Sequence, residues 1–188
     1  MKEIAKEIIE AATGGDMSAF EEIYKTFSPM VYTVAINITA QTQDAEEATQ
    51  EVFVKVFRGL KYFKFKSSFG TWIYRITMNT AINIYRSRSR RQTEAVSYDG
   101  LKVFEPAAPD DSKAGRERDH AAWLTAKILE NISPEHRSCI VLREIEGLDY
   151  SEISEVLKIP LNTVRSRLKR AREAMIAYIR KEGLSYEL

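Results

Sequence analysis

The chain has 188 residues, 44% of them apolar, with 28 lysines and arginines against 27 aspartates and glutamates, so it can bury one or two modest cores. No stretch approaches the roughly 18 apolar residues of a membrane span, and the charged start MKEIAKEIIE lacks a signal-peptide core, which predicts a cytoplasmic protein. One cysteine, Cys139, and two distant histidines exclude an internal disulfide and leave no zinc ligand set, so we expect no metal or other cofactor.

The first 60 residues have the apolar spacing of helices and no useful strand alternation. Apolar residues recur at helical intervals in four segments, which begin near Ile4, Phe20, Val31 and Val52. Before the second segment, Ser18 and Glu21 have the spacing of a capping box. The pattern predicts four or more helices in this part of the chain.

An acidic face accompanies the last of these segments, QTQDAEEATQEVFVKVF. Residues 1–60 carry 10 acidic and 5 basic side chains. On this segment the acids lie beside an apolar side formed by Val52, Phe53 and Val56, a combination typical of a protein interface. We expect a basic protein partner for the acids, which are Asp44, Glu46, Glu47 and Glu51. An ordinary solvated helix face is the alternative.

Residues 61–93 carry eight basic side chains and no acidic one, which indicates a polyanionic partner. On a helix spanning 69–86, one side would present Trp72, Arg75, Asn79, Asn83 and Arg86. Rings and guanidinium planes stack on unpaired bases, and amides bond to their edges, so this side suits single-stranded nucleic acid. The preceding loop, KYFKFKSSFG, offers a pocket for an extruded base through Phe63, Lys64 and Lys66.

Turn-forming and acidic residues then concentrate between about residues 92 and 119, with two prolines, two glycines and no sustained apolar period. We interpret this segment as a flexible linker. Beyond it, residues 121–131 have a helical pattern, and Ser133 with Pro134 has the pattern of an N-cap followed by a first helical residue. Asp149 and Glu152 form another capping-box pattern.

A helix from about Tyr150 to Leu157 should end before Pro160, and a last helix should run from about Leu161 to Arg180. Two helices joined by such a short turn form a helix-turn-helix. The last helix has one apolar stripe, formed by Leu161, Val164, Leu168, Ala171, Met175 and Tyr178.

The other side of the last helix is polar and basic. It carries Asn162, Thr163, Arg165, Ser166, Lys169 and Arg170, with Arg167 and Arg172 at its borders. This side suits a DNA major groove, with the first side chains at base edges and the border arginines at phosphates. An exposed basic helix without a ligand is the alternative.

Taken together, these segments resemble the extracytoplasmic-function (group 4) sigma factors of RNA polymerase, close to the sigma-E type of the sigma-70 family. DAEEATQEVFVKVF resembles their polymerase-binding helix, FGTWIYRITMNTAINIYRSRSRR their promoter-melting and minus-10 segment, and LREIEGLDYSEISEVLKIPLNTVRSRLKRAREAM their minus-35 helix-turn-helix. The resemblance implies an all-α protein of two small helical domains, sigma-2 at 1–93 and sigma-4 at 120–183, with a linker at 94–119 and a tail at 184–188.

The resemblance also implies roles for particular residues. Core polymerase would be bound through its flap and its largest-subunit clamp helices, the latter contacting Asp44, Glu47, Gln50, Glu51 and Phe53. The minus-10 element would contact Phe63, Lys64, Lys66, Trp72, Arg75, Asn79, Asn83 and Arg86. The minus-35 duplex would contact Arg143, Asn162, Thr163, Arg165, Ser166, Arg167, Lys169 and Arg170. An anti-sigma factor would regulate the protein.

The sequence departs from the family pattern at two places that bear on promoter preference. Asn162 stands where the family often has glycine, and the loop Lys64–Ser68 lacks the acidic and glycine residues of close relatives. Two other classes of protein compete with this interpretation. A free-standing dimeric helix-turn-helix regulator would need no polymerase, and a nuclease or recombinase would need converging carboxylates near the basic surface, which residues 61–93 lack. We therefore expect a binding protein, not an enzyme.

Overall fold

The computed structural model describes residues 3–95 and 123–183, and all regular structure in these ranges is helical. Its helices are α1 (Lys6–Thr13), α2 (Met17–Thr39), α3 (Thr42–Gly59), α4 (Phe69–Ala95), α5 (123–130), α6 (Pro134–Ile140), α7 (Tyr150–Leu157) and α8 (Leu161–Lys181). A short 3-10 turn, Leu60–Tyr62, follows α3, and a π-helical segment, Val141–Ile145, continues α6. The predicted all-α class is confirmed.

Helix α4 reaches two residues into the predicted linker at 94–119. Residues 94 and 95 are the last two residues of α4, because the helix that starts at Phe69 continues to Ala95. The rest of the linker and the tail at 184–188 lie outside the described residues. Among the helices that are described, none combines the length and apolarity needed to cross a bilayer.

Helix α2 differs from its prediction in two ways. The capping box at Ser18 and Glu21 is wrong, because Asp16 caps the helix and its Oδ1 accepts from the backbone N–H groups of Ser18 and Ala19 at 2.8 and 3.2 Å. The two apolar segments predicted near Phe20 and Val31 also form one helix, which runs through Pro29.

The N-terminal half is built on α2, α3 and α4, which pack against one another, with α1 against α2. Their apolar faces bury Ile23, Phe27, Val31, Val52 and Ile73 completely. Burying a side chain of this size stabilises the fold by about 1.5–3 kcal/mol. The bundle therefore fixes α3 and α4 side by side, and their outer faces carry the candidate site residues.

The C-terminal half contains the predicted helix-turn-helix. Asp149 and Glu152 form the expected capping box, with each side chain bonded to the other residue's backbone N–H at 2.8 Å. Lys158 ends α7 in the left-handed conformation at φ 53°, and Pro160 directly precedes α8. Pro134 is the first residue of α6, as predicted, although the Ser133 side chain makes no capping bond. Both helix starts of the motif are confirmed.

The two halves are packed together, an arrangement that the sequence did not predict. One cluster of buried apolar residues runs from Ile9 on α1 to Ala171 on α8. Polar contacts join the halves as well: the Tyr74 hydroxyl donates to the Glu146 carboxylate at 2.7 Å, and Arg137 donates to the Ile38 carbonyl oxygen at 2.5 Å. Helix α4 therefore meets the C-terminal half along part of its length.

Cys139 lies wholly inside the C-terminal half, and burial raises the pKa of its thiol to about 11. At pH 8 only about a thousandth of this thiol is ionised, and no reagent reaches it without unfolding. We expect maleimide to leave the native chain unlabelled under conditions that label the chain fully in guanidinium. Mass spectrometry would measure this, and rapid labelling of the native chain would contradict the packing described.

Candidate nucleic-acid interface

The α4 stripe, which we define as Trp72, Arg75, Asn79, Asn83 and Arg86, runs along one side of the long helix α4. Asn79, Asn83 and Arg86 are exposed, and the two asparagines lie one helical turn apart, about 6 Å along the axis. The buried side of the same helix carries Ile73, Met78 and Ala81. Core packing therefore fixes the rotation of α4 and directs both amides outward, where they can bond to unpaired bases.

An aromatic cluster lies at the start of the stripe. Phe63 is 5.1 Å from Trp72, 5.2 Å from Phe69 and 4.8 Å from Phe65, measured between ring centroids. Phe69 is buried and Trp72 is partly buried, whereas Phe65 is 45% exposed. Trp72 is therefore largely a packing residue. The rings that this loop exposes are Phe65 and Tyr62, the latter at 70%, and the sequence analysis singled out neither.

Gly59, at the end of α3, makes room for this cluster. A Cβ atom at residue 59 would lie 2.9 Å from Cζ2 of the Trp72 indole, closer than real side chains approach. The loop after it exposes Lys64 and Lys66, on either side of Phe65. Two ammonium groups beside an exposed ring are the kinds of group that can bind one base and its phosphates.

Both arginines of the α4 stripe contact the C-terminal half. Arg75 donates to the Glu155 carbonyl oxygen at 2.8 Å, and Arg86 pairs with the Glu135 carboxylate at 2.6 Å. Two of the five stripe residues are thus bonded inside the protein in this structure.

The polar and basic side of α8, which we call its reading face, is exposed. Asn162, Arg165, Ser166, Lys169 and Arg170 are exposed, whereas Thr163 and Arg167 are partly buried. The helix is anchored by Val164, Leu168 and Ala171, which are buried as the apolar stripe predicts, whereas Leu161, the first residue of that stripe, is 38% exposed because it lies at the open start of the helix. The Asn162 Oδ1 accepts from Arg165 at 3.2 Å, and Lys169 lies 3.9 Å from Glu173. The face thus presents amide and guanidinium groups at the first turns of the helix.

Arg143, predicted to contact the same duplex, lies beneath the helix-turn-helix. Its guanidinium donates to the Leu148 carbonyl oxygen at 2.9 Å and lies 5.4 Å from the Tyr150 ring centroid. In this structure it therefore supports the loop that leads into α7.

The acidic face of α3 exposes Glu47 and Gln50, and Glu51 pairs with Lys55 at 2.6 Å. Asp44 is mostly covered and pairs with Arg88 of α4 at 3.0 Å. Phe53 is buried at 5% exposure, with its ring 4.6 Å from the ring of Tyr24 on α2. Asp44 and Phe53, two of the five residues predicted to contact polymerase, are therefore packed inside the protein and fix α3 against α4 and α2.

Helix α2 completes this face, which sequence reasoning missed. An open groove between α2 and α3 is lined by Tyr24, Ser28, Pro29, Tyr32, Glu46, Thr49 and Gln50. Tyr24 and Tyr32 are 46% and 37% exposed, so both rings offer apolar surface to this groove. In the sequence, this face could have been recognised from Tyr24 and Tyr32, two aromatic residues on either side of Pro29 within an apolar helical pattern.

Two family descriptions match the chain. Sigma-70 region 2 matches residues 23–91, and Sigma-70, region 4 matches residues 124–175. The first contains the acidic face, the aromatic cluster and the α4 stripe, and the second contains the helix-turn-helix. The chain belongs to the sigma-70 family, among the extracytoplasmic-function sigma factors.

Relatives of this sigma factor match over most of their length. It is 33% identical to the RNA polymerase sigma-H factor of Pseudomonas aeruginosa, over 90% of this chain and 91% of that protein. It is 32% identical to the ECF RNA polymerase sigma-E factor of Escherichia coli K12, over 89% and 90% respectively. These proteins are transcription initiation factors, and the family resemblance inferred from the sequence is confirmed.

Two solved structures share the fold of this sigma factor. CnrH, in complex with the cytosolic domain of CnrY, has a TM-score of 0.69 at 21% identity, over 95% of this chain and 97% of CnrH. The sigma factor RpoE of Bartonella quintana, in complex with the anti-sigma factor NepR, has a TM-score of 0.65 at 20% identity, over 86% and 96%. At these identities the likeness establishes the fold.

Proposed function

We propose that this sigma factor binds core RNA polymerase, reads the minus-35 element as duplex with α8, and holds the melted minus-10 strand on α4. The observation that supports this best is the presence of two different nucleic-acid surfaces on one chain. One exposes amides and guanidinium groups on a helix that fits a major groove, and the other exposes amides and a ring beside lysines. The domains are 1–93 and 120–183, joined by the linker at 94–119.

The minus-35 element is read by the first turns of α8. Asn162, Thr163, Arg165 and Ser166 face base edges, and Arg167, Lys169 and Arg170 reach phosphates on either side. Arg143 acts from beneath, by holding the loop before α7.

Promoter opening follows from trapping unpaired bases, without covalent chemistry. Opening costs about 1.4 kcal/mol for each base-pair step, and stacking one unpaired base on a ring returns about 1–3 kcal/mol. Phe63 and Phe65 provide the rings, Lys64 and Lys66 hold the backbone, and Asn79 and Asn83 bond to base edges. A few captured bases therefore offset a short bubble once polymerase adds its own contacts.

Polymerase docks on the acidic face and the α2–α3 groove. Glu47, Gln50 and Glu51 pair with basic groups on the clamp helices, and the exposed tyrosines of α2 supply apolar contact. Asp44 and Phe53 act by fixing α3 against α4 and α2. The C-terminal half contacts the flap, and the protein works in the cytoplasm with the enzyme that it directs.

An anti-sigma factor controls this protein in our proposal, by covering the surfaces that polymerase needs. The support comes from the two solved relatives of the same fold, CnrH with CnrY and RpoE with NepR.

Run-off transcription with core polymerase on a promoter library tests the proposal. The full chain should direct initiation from a defined minus-35 and minus-10 pair, and core polymerase alone should not. Footprinting without polymerase gives the contrary outcome: strong protection of a palindrome by the free chain, with no effect on initiation, would indicate a dimeric regulator instead.

Charge reversal on the acidic face should weaken polymerase binding. We expect Glu47→Lys with Glu51→Lys to lower affinity for core polymerase about tenfold or more, because attractive pairs across an interface become repulsive. Fluorescence anisotropy of a labelled chain would measure this. Reversal of Glu7 and Glu10, which are exposed on α1, is the matched control, and equal binding by both variants would contradict the assigned face.

A further inference from the structure

The loop after α3 holds Phe65 in a conformation that large side chains rarely adopt. Its φ is 54°, in the left-handed region, where an aromatic residue is strained. Costly backbone geometry of this kind persists only where the surrounding packing imposes it, and it is concentrated at functional sites. The Phe63 ring packs against Phe65 at 4.8 Å between centroids, and Phe65 nevertheless stays 45% exposed. The loop thus keeps this ring at the surface at the cost of backbone strain.

The ammonium group over this ring comes from a different helix. Lys6, in the first turn of α1, places its Nζ 5.3 Å from the Phe65 ring centroid. Helix α1 is anchored by Ile9 and Ala12, which are buried, and it packs against α2 and the turn at Leu60–Tyr62. Core packing therefore sets the position of Lys6 beside the loop.

The local energetics of α1 do not account for a lysine at this position. Residues 3–24 contain six acidic side chains, and Lys6 is their only basic one. The helix dipole disfavours a cation in the first turn. The ion pair of Lys6 with Glu10, at 3.1 Å, joins two side chains that are more than half exposed, and such pairs contribute little. The notable contact of Lys6 is therefore the one with the loop.

The face of Phe65 beneath Lys6 is also a surface on which an unpaired base can stack. A stacked base contributes more than an exposed cation–π contact does, so a base can displace the ammonium group from the ring. The flexible lysine stem then allows the ammonium group to reach a phosphate of the same nucleotide. Lys64 and Lys66 are exposed on either side of Phe65 in the sequence, so Lys6 adds a third cation to this part of the surface.

We infer that Lys6 of α1 is a further strand-binding residue, which binds a backbone phosphate of the nucleotide whose base stacks on Phe65. This inference rests on the proposed function of the loop, and it extends the strand-binding surface to a helix outside α4 and the loop. In the free chain Lys6 covers the ring. In the opened promoter complex the base covers the ring, and Lys6 neutralises the phosphate.

The test uses the holoenzyme, formed from the full chain and core polymerase, and a fluorescent single strand of the minus-10 sequence that the promoter library selects. We expect Lys6→Gln to weaken binding about two- to fivefold, the effect of one exposed charge contact. The slope of log affinity against log salt should become shallower by about 0.7, because one phosphate contact fewer releases counterions. Lys6→Arg should restore both values.

Lys25→Gln is the matched control. Lys25 is an exposed helical lysine that pairs with a glutamate one turn away, Glu21 at 2.6 Å, as Lys6 pairs with Glu10. This variant should keep the original affinity and salt slope. Equal losses from Lys6→Gln and Lys25→Gln would overturn the inference, since they would indicate a general charge effect. A loss of affinity without a change in slope would also overturn it, because Lys6 would then act only by packing on the ring.

Uncharged backbone linkages identify the phosphate that Lys6 binds. Among strands that each carry one methylphosphonate, one should bind the unaltered holoenzyme about two- to fivefold more weakly and bind the Lys6→Gln holoenzyme as well as the normal strand does. That linkage should adjoin the nucleotide whose abasic form makes the unaltered chain and Phe65→Ala bind alike. If no linkage has this selective effect, Lys6 does not bind a phosphate.

Phe65→Ala separates a failure of this inference from a failure of the proposed function. If Phe65→Ala weakens strand binding and Lys6→Gln does not, only the role of Lys6 is wrong. If the holoenzyme binds the strand no more tightly than core polymerase alone does, the proposed function itself fails, and the inference fails with it.

Discussion

Replacing both Asn79 and Asn83 by alanine is expected to reduce specific initiation about 10- to 100-fold while binding to core polymerase stays unchanged. In the proposed function each amide would bond to a base edge only after the duplex has opened, and a good contact of this kind contributes about 1–3 kcal/mol. The double variant should therefore destabilise the opened promoter complex and not the initial binding of the promoter. Run-off transcription measures initiation, and permanganate reactivity of unpaired thymines measures opening.

The matched control for the double variant at Asn79 and Asn83 is Asn131→Ala. Asn131→Ala removes an exposed asparagine whose side chain bonds only to the Lys127 carbonyl oxygen among the contacts described, far from the α4 stripe in sequence. A template with a pre-melted minus-10 bubble should recover only part of the loss, because the base contacts are still missing. Full activity of the double variant on duplex promoters would contradict the role of the stripe.

The second large effect is expected at α8. Arg165→Ala with Lys169→Ala should lower initiation from promoters that depend on the minus-35 element by about 10- to 100-fold, since it removes one base contact and one phosphate contact. The salt dependence of promoter binding by the holoenzyme should also become shallower, because fewer counterions are released.

Arg180→Ala with Lys181→Ala is the matched control on the same helix. Both residues are exposed in the last turn of α8, one arginine and one lysine as in the test pair. Removing them changes the charge equally and leaves the reading face intact. Equal losses from the two pairs would show that the helix contributes only nonspecific charge, which would contradict a reading role for Arg165.

The helix-turn-helix was predictable because its signals are local. The capping box at Asp149, the stop at Pro160 and the apolar period of α8 each act within a few residues, and the structure places all three as expected. The exposure of Asn79 and Asn83 was predictable for the same reason. The apolar period of α4 defines its buried side, and the two asparagines lie on the opposite side.

Signals that depend on tertiary packing were not predictable. The apolar segments near Phe20 and Val31 form the single helix α2, because Phe27, Met30 and Val31 on either side of Pro29 are buried in the core and their packing outweighs the cost of about 3 kcal/mol for a proline inside a helix. The cap lies at Asp16, two residues before the predicted cap at Ser18, because the backbone leaves the helical conformation at Asp16.

Contacts between the halves left no signal in the spacing of residues. Arg137 lies on a short helix where an arginine is normally exposed, and its partner Ile38 is 99 residues away. The same holds for Tyr74 and Glu146, which are 72 residues apart. Periodicity describes one helix at a time, and it cannot say which faces of two helices meet across a linker.

Gly59 constrains how promoter preference could be exchanged between relatives. The indole of Trp72 rests where any larger residue at 59 would place its first side-chain carbon. A chimaera that imports a foreign loop from 60–68 onto this scaffold must keep the glycine, because a bulkier residue at 59 would require the indole to move. The end of α3 at Gly59 and the loop 60–68 should therefore be exchanged together. A chimaera that joins a foreign loop to a different residue at 59 should fold with the aromatic cluster displaced.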